Sequence, residues 1–161
     1  MTTLEVTQSK IFDRQILSQR IAMWRFQNNK VIFTNGCFDI LHRGHIEYLS
    51  KARDLGDVLV VGVNTDSSVK RIKGENRPVQ DEASRAQILA SLRFVEAVIL
   101  FDEDTPFELI SMIKPDVLVK GGDYSEETIV GADIVRANGG DVVTIPIVEG
   151  YSTSKILNFK F

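Results

Sequence analysis

The chain has 161 residues, 43% of them apolar and 25% charged, which is enough to bury one sizeable core and short for two. Its 19 basic and 22 acidic residues leave a formal charge of −3, so the composition carries no electrostatic footprint for nucleic acid and no polybasic membrane anchor. A single cysteine, Cys37, excludes an internal disulfide and a thiolate-cage metal site and fits a reducing compartment.

The opening residues include Thr2, Thr3, Glu5, Thr7 and Gln8 and lack the apolar core of a secretory leader. No run approaches the roughly 20 apolar residues of a membrane span, and a cytoplasmic protein without a membrane partner is expected. No linker, repeat or low-complexity block interrupts the chain, which predicts a single domain over residues 1–161. Residues 10–28 place Ile11, Leu17, Ile21 and Trp24 among polar neighbours, predicting an added amphipathic N-terminal helix with Trp24 as a packing anchor. Short β-branched runs then recur at 31–34, 58–63, 97–101, 117–119 and 142–145. Such continuous apolarity suits strands covered on both faces.

Between these runs lie helical stripes. Ile46, Leu49, Ala52 and Leu55 form one, closed by Gly56 as a C-cap. Ala86, Leu89 and Ala90 form another, with Asp81 as N-cap. Thr105, Pro106 and Glu108 open a third with proline at the first helical position, and Lys114-Pro115 closes it. A last helix follows Gly150. Alternating β and α units with right-handed crossovers predict an α/β fold, a doubly wound, five-stranded parallel sheet of Rossmann type. Ligands of such sheets bind beyond the carboxyl ends of the strands where strand order reverses, so the segment after the first predicted strand is the place to look.

That segment runs Asn35-Gly36-Cys37-Phe38-Asp39-Ile40-Leu41-His42-Arg43-Gly44-His45. Gly36 permits a tight turn and close approach of another backbone. His42 and His45, the only histidines, lie three apart and share one face of a helix start, with Gly44 between them leaving room for a ligand. A helix N-terminus adds free N–H groups and positive potential for phosphate. On pattern alone the pair has two readings: it caps and packs the helix, or it binds a ligand. No carboxylate or third histidine stands at metal-ligand spacing, and no protein metal site is expected.

The run 34–39 followed by His42-x-Gly44-His45 resembles the signature of the cytidylyltransferase-like nucleotidyltransferases. Further matches at Val63-Asn64-Thr65-Asp66, Lys73-Gly74 with Arg77-Pro78, 119–124, 137–140 and 150–156 resemble the adenylyltransferases of ADP-heptose synthesis, often the second half of a bifunctional kinase–transferase. At this length a stand-alone transferase is expected. The resemblance implies transfer of AMP from ATP to a sugar 1-phosphate, D-glycero-beta-D-manno-heptose 1-phosphate, releasing pyrophosphate, for lipopolysaccharide or another surface glycan. The alternative within the class is a cytidylyltransferase acting on glycerol 3-phosphate or a similar phosphorylated alcohol. A tRNA-acting module and a catalytically silent nucleotide-binding regulator are the other classes; length and charge speak against the first, retained His42, His45 and Lys73 against the second.

The resemblance also implies the site. His42, His45 and Lys73 serve catalysis. Thr34, Asn35, Gly36, Cys37, Phe38 and Gly44, with Lys120, Gly121, Asp123, Ser152, Thr153 and Ser154, bind the nucleotide. Arg77 and Asp39 face the sugar phosphate, although Asp39 equally suits a loop cap. Lys70 and Arg71 are left to a solvated loop. Related cytidylyltransferases carry an arginine where this chain has Ile147, and Arg77, Arg85 or Lys120 is left to supply the missing cation. Mg²⁺ is expected to arrive on the triphosphate, held by substrate oxygens. A homodimer through the N-terminal helix is a further expectation.

Overall fold

The computed structural model describes residues 1–122 and 124–159. Six parallel strands form one sheet in the order β1-β4-β3-β2-β5-β6, made by β1 (Ile11–Phe12), β2 (Val31–Gly36), β3 (Val58–Asn64), β4 (Ala97–Phe101), β5 (Val117–Gly121) and β6 (Asp141–Ile145). The α/β class and parallel sheet are as expected, with one strand more than the five predicted. The helices are α1 (Thr3–Gln8), α2 (Arg14–Phe26), α3 (Arg43–Arg53), α4 (Asp66–Lys73), α5 (Glu82–Ala90), α6 (Phe107–Ile113), α7 (Ala132–Ala137) and α8 (Thr153–Leu157).

Side chains alternate faces along each strand. Val31 and Phe33 of β2 join a core with Leu17 and Ile21 of α2 and Leu109, Ile110 and Ile113 of α6. Ile32, between them, joins the opposite core with Leu49 and Ala52 of α3 and Leu89 and Ala90 of α5. Every residue of β3 is buried, as a central strand covered on both faces requires.

The strand order turns at β2. It pairs with β3 along its whole length, from Val31 opposite Val58 to Gly36 opposite Val63. With β5 it pairs only at Ile32 opposite Val117 and Phe33 opposite Leu118. Beyond Phe33 the two strands have no paired residues, and this gap is the crevice of the switch point.

The stretch 10–28 is two elements rather than one helix. Asp13 stops β1 and caps α2, its side chain accepting from the Ile16 N–H at 2.8 Å, and β1 joins β4 at the sheet edge. Trp24 is half-buried against the first core, as expected of a packing anchor. Lys70, Arg71 and Lys73 lie on α4 rather than in a loop. Thr65 caps that helix by accepting from Ser68 N–H, and the three cations fill its last turn, where they oppose the helix dipole. Pro106 stands at the N-cap of α6, one position before the first helical residue.

Gly56 is required by contact rather than by a left-handed cap. A Cβ there would lie 2.4 Å from Ile32 Cδ1 and 2.9 Å from the Lys30 carbonyl oxygen. Gly56→Ala is therefore expected to lower stability by about 1–3 kcal/mol through overpacking, read as a lower urea midpoint at unchanged slope. A midpoint equal to that of the parent would show that the β2 and α3 ends yield freely.

Candidate active site

The carboxyl ends of β2, β3 and β5 open onto two adjoining cavities of about 530 Å³ and 360 Å³. Asn35, Gly36, Cys37, Phe38, His45, Lys120, Tyr124 and Thr153 line both. The larger cavity adds Asp39, Asn64, Lys73, Arg77, Ser154 and a wall of Pro106 and Thr128 to Val130. The smaller adds His42, Gly44, Tyr48, Gly121, Ile147, Tyr151 and Ser152. The expected site residues therefore converge, apart from Thr34 and Asp123. Thr34 is fully buried, lines neither cavity, and its hydroxyl is 2.6 Å from Tyr48 Oη. Asp123 lies outside the described residues.

His42 occupies the N-cap of α3 with extended backbone and makes no capping hydrogen bond. The free N–H groups of that helix start are thus left without a side-chain acceptor. The rings of His42 and His45 stack with centroids 3.9 Å apart, and the Nδ1 atom of each is buried without a partner. Burial, and secondarily the neighbouring His42, lowers His45 to about 4; burial also lowers His42. Two neutral imidazoles with unused nitrogen atoms are stacked at the mouth of the cleft, and an anion placed against them would favour protonation. Gly44 lines the smaller cavity, but the position a Cβ would take there is occupied by protein. A Cβ there would meet the His42 ring at 3.0 Å and Tyr151 Cβ at 3.2 Å, so the glycine lets α3 pack against both.

Three candidates for the cation absent at Ile147 separate clearly. Arg85 is buried, lines neither cavity and pairs with Asp66 at 2.9 Å. Arg77 lines the larger cavity but its Nε is held by Asp39 at 2.7 Å. Lys120 faces both cavities, has no carboxylate partner among the described residues, and its Nζ lies 5.6 Å from the Tyr124 ring centroid. Burial lowers its pKa, with the Lys73 charge adding to the effect. Ile147 itself is exposed and sits at the rim of the smaller cavity.

Asp39 takes the loop-fastening reading. Its carboxylate accepts from Arg77 Nε, the Val79 N–H at 2.9 Å and the Gln80 N–H at 3.0 Å. Burial alone would raise this carboxyl, but those hydrogen bonds outweigh it and hold the pKa below the ordinary value. Asp39→Ala would leave the Arg77 charge and two N–H groups unpaired, and is expected to cost about 3–5 kcal/mol. Chemical denaturation measures this; a loss below about 1 kcal/mol would mean that water replaces the carboxylate. The Ser152 hydroxyl accepts from Lys155 N–H at 3.1 Å, and Thr153 donates to the Ile40 carbonyl at 3.3 Å. Both serine and threonine therefore shape the wall as well as face it.

The Cys37 thiol, 3.8 Å from Asn64 Oδ1, is pushed up by burial, leaving no activated thiolate. Several lining residues carried no advance signal. Asn64 and Tyr151 stand only within the matching runs 63–66 and 150–156, while the 128–130 wall comes from a segment distant in sequence.

A parallel sheet with its crevice at the first βα turn, histidines at the helix start and cations beyond defines a nucleotide-handling α/β domain. The chain belongs to the cytidylyltransferase-like family, which it matches over residues 33–158. It is 56% identical over 149 residues to the bifunctional protein HldE of Citrifermentans bemidjiense and 55% identical over 148 residues to that of Campylobacter jejuni. These alignments cover 92% and 91% of this chain but 31% of each relative, so the chain spans about a third of their length. Among solved structures, the lipopolysaccharide core biosynthesis protein of Thermoplasma volcanium matches with a TM-score of 0.60 and 33% identity, covering 77% of this chain and 99% of that one. A pantoate-beta-alanine ligase of Francisella tularensis shares the fold, with a TM-score of 0.63 at 18% identity over 93% of this chain and 73% of its own.

Proposed function

We propose that this domain is a nucleotidyltransferase that moves AMP from ATP to a sugar 1-phosphate, D-glycero-beta-D-manno-heptose 1-phosphate, giving ADP-heptose and pyrophosphate. One observation carries the reading: a cavity edged by Lys73, Arg77 and Lys120 meets one edged by His42, Gly121 and three tyrosines, and His45 and Lys120 stand on both. The smaller cavity suits a flat base and ribose, the larger a hydroxyl-rich ligand with an anionic end. Thr128, Asn64 and Thr105 supply polar contacts to the latter. The likeness to a lipopolysaccharide core biosynthesis protein of Thermoplasma volcanium supports the same glycan chemistry.

In this reaction a phosphate oxygen of the sugar attacks the α-phosphorus of ATP, and the bond from that phosphorus to the bridging oxygen breaks as pyrophosphate leaves. The attacking group is already anionic, so no general base is needed. Catalysis rests on alignment of two anions and neutralisation of the leaving group. Lys73 and Arg77 hold the attacking phosphate, Lys120 spans the two substrates, and His42 and His45 donate to the triphosphate. A magnesium ion would ride on the phosphate oxygens of the triphosphate. Such an ion supplies charge screening of the triphosphate and of the departing pyrophosphate.

No helix among the described residues is long and apolar enough to cross a membrane; a cytoplasmic setting with diffusible substrates is part of this reading. A homodimer through α2, whose Ile16, Met23 and Phe26 are exposed, belongs to the same proposal and is tested by light scattering. The reaction is tested by incubating the chain with Mg²⁺, each nucleoside triphosphate and a panel of sugar and polyol phosphates, and measuring pyrophosphate. Release with ATP and heptose 1-phosphate is expected. Release with CTP and glycerol 3-phosphate instead would transfer the assignment to a cytidylyltransferase, and no release with any pair would refute the enzyme.

A further inference from the structure

Among the described residues, Arg85 is the one fully buried charged side chain with no place in the cleft. Its side chain has 0% exposure, and its neighbours on α5, Ala86, Leu89 and Ala90, pack into the apolar core. Each of its three nitrogen atoms makes a hydrogen bond. Nη1 donates to the Cys37 carbonyl at 2.7 Å, Nε to the Gln80 carbonyl at 3.0 Å and Nη2 to Asp66 Oδ1 at 2.9 Å. Burying a guanidinium costs several kcal/mol, and an apolar side chain of similar volume generally packs as well or better. Packing alone therefore does not account for it; what it holds does.

Each of its three acceptors belongs to a segment that also faces substrate. Cys37 lines both cavities, whereas Arg85 lines neither, so the bond draws the Cys37 carbonyl out of the cleft. A carbonyl oxygen turned inward would repel a phosphate. Phe38, next in sequence, has φ of 47°, a left-handed setting that persists only where the surroundings impose it. Asp66 opens α4, whose last turn carries Lys73 into the larger cavity. Gln80 ends the segment that carries Arg77, and Asp39 grips the same segment through the Val79 and Gln80 N–H groups. The anion-facing loop and both cationic side chains are thus referred to one guanidinium.

We propose that Arg85 is a positioning residue for the transfer reaction: by its bonds to Cys37, Gln80 and Asp66 it sets the spacing between the loop after β2, Lys73 and Arg77. The proposal rests on the nucleotidyltransferase reading above. Its fork of donors makes it specific to arginine, since a lysine ammonium has no planar geometry to serve two carbonyls and a carboxylate together.

The test compares the parent with Arg85→Met, which keeps length without charge, and Arg85→Lys, which keeps charge without the fork. Turnover, KM for both substrates and melting temperature are measured, with assays run well below each melting point. Misplacement of reacting groups by about 1 Å costs on the order of 10²-fold in rate. Both variants are expected to lose kcat on that scale, with KM for ATP within about threefold of the parent, and Arg85→Lys to recover less than tenfold over Arg85→Met. A folded Arg85→Met variant with parental kcat overturns the positioning role. So does a fall confined to melting temperature, or failure of both variants to fold by circular dichroism, which would make the side chain a determinant of the fold alone. An inactive parent chain refutes the underlying reaction, an outcome distinct from an active parent with an equally active variant.

Discussion

Replacing His45 by alanine is expected to lower turnover by about 10²–10³-fold while the sheet and its helices stay intact. A single preorganised donor aimed at developing charge is typically worth that much. His45 is the histidine shared by the two cavities. Its ring is held between His42, at 3.9 Å, and Phe38, whose ring centroid lies 5.3 Å away edge-on. Packing and a hydrogen bond with the Ile40 backbone fix its position, while its Nδ1 has no partner. A loss smaller than about fivefold would assign the histidine to packing.

The same side chain carries a pH signature. Burial holds His45 at about 4 in the folded chain, below its ordinary 6.5. The neutral ring therefore supports folding fully above about pH 6.5. That support fades as the pH falls towards 4, where the native state must take up a proton it resists. Melting temperature should decline over this window in the parent and decline less in His45→Ala. Nucleotide binding has the opposite slope. Phosphate oxygens favour the imidazolium, so ATP affinity should strengthen as the pH is lowered from 8 towards 6. Calorimetry in two buffers of different ionisation enthalpy would read the accompanying proton uptake, and a pH-independent affinity would contradict it.

Lys120→Met is expected to reduce turnover by about 10²-fold and, unlike most inactivating changes, to raise the melting temperature. The ammonium is half-buried without a carboxylate among the described residues, and Lys73 adds like charge. In the empty protein this charge is unfavourable; a thioether of similar length removes the penalty and still covers Tyr124. With substrates present the sign reverses, since Lys120 alone among the described lysines and arginines borders both cavities. KM should rise for both substrates in a Lys120→Met enzyme, whereas loss of Lys73 should weigh on the sugar phosphate. Such opposition of stability and activity marks a residue kept for function. A less stable yet fully active variant would place Lys120 in the scaffold.

The core strands were legible because a fully covered strand writes itself as a run of β-branched residues, and β3 is the clearest case. β1 was not, since two residues carry no period, and its neighbours Leu17 and Ile21 extend an apparent helical stripe across it. α4 was hidden for a different reason. It buries only Ser68 and Val69, and its stability comes from the Thr65 cap and terminal charges, which a search for apolar periodicity does not register.

In the site, the local motif from Asn35 to His45 was readable because one turn of backbone brings it together. The contacts that set its shape were not. Asp39 meets Val79 and Gln80 about 40 residues on, and Arg85 meets Cys37 48 residues back. Read along the chain, each is only a charge beside a turn or on a helix. Three-dimensional pairing also sets Arg85 outside the cleft and leaves Arg77 and Lys120 lining it, a distinction that residue type left open.

The central claim is that the stacked imidazoles of His42 and His45 grip the polyphosphate. It is tested most directly by ¹H–¹⁵N spectra of the imidazole nitrogens at pH 7, recorded on the full chain during titration with a non-hydrolysable ATP analogue and Mg²⁺. The account predicts two neutral rings in the free protein and, at saturation, a downfield proton with the nitrogen shift of an imidazolium on at least one of them. Saturable binding that leaves all four ring nitrogens at their free positions would contradict it.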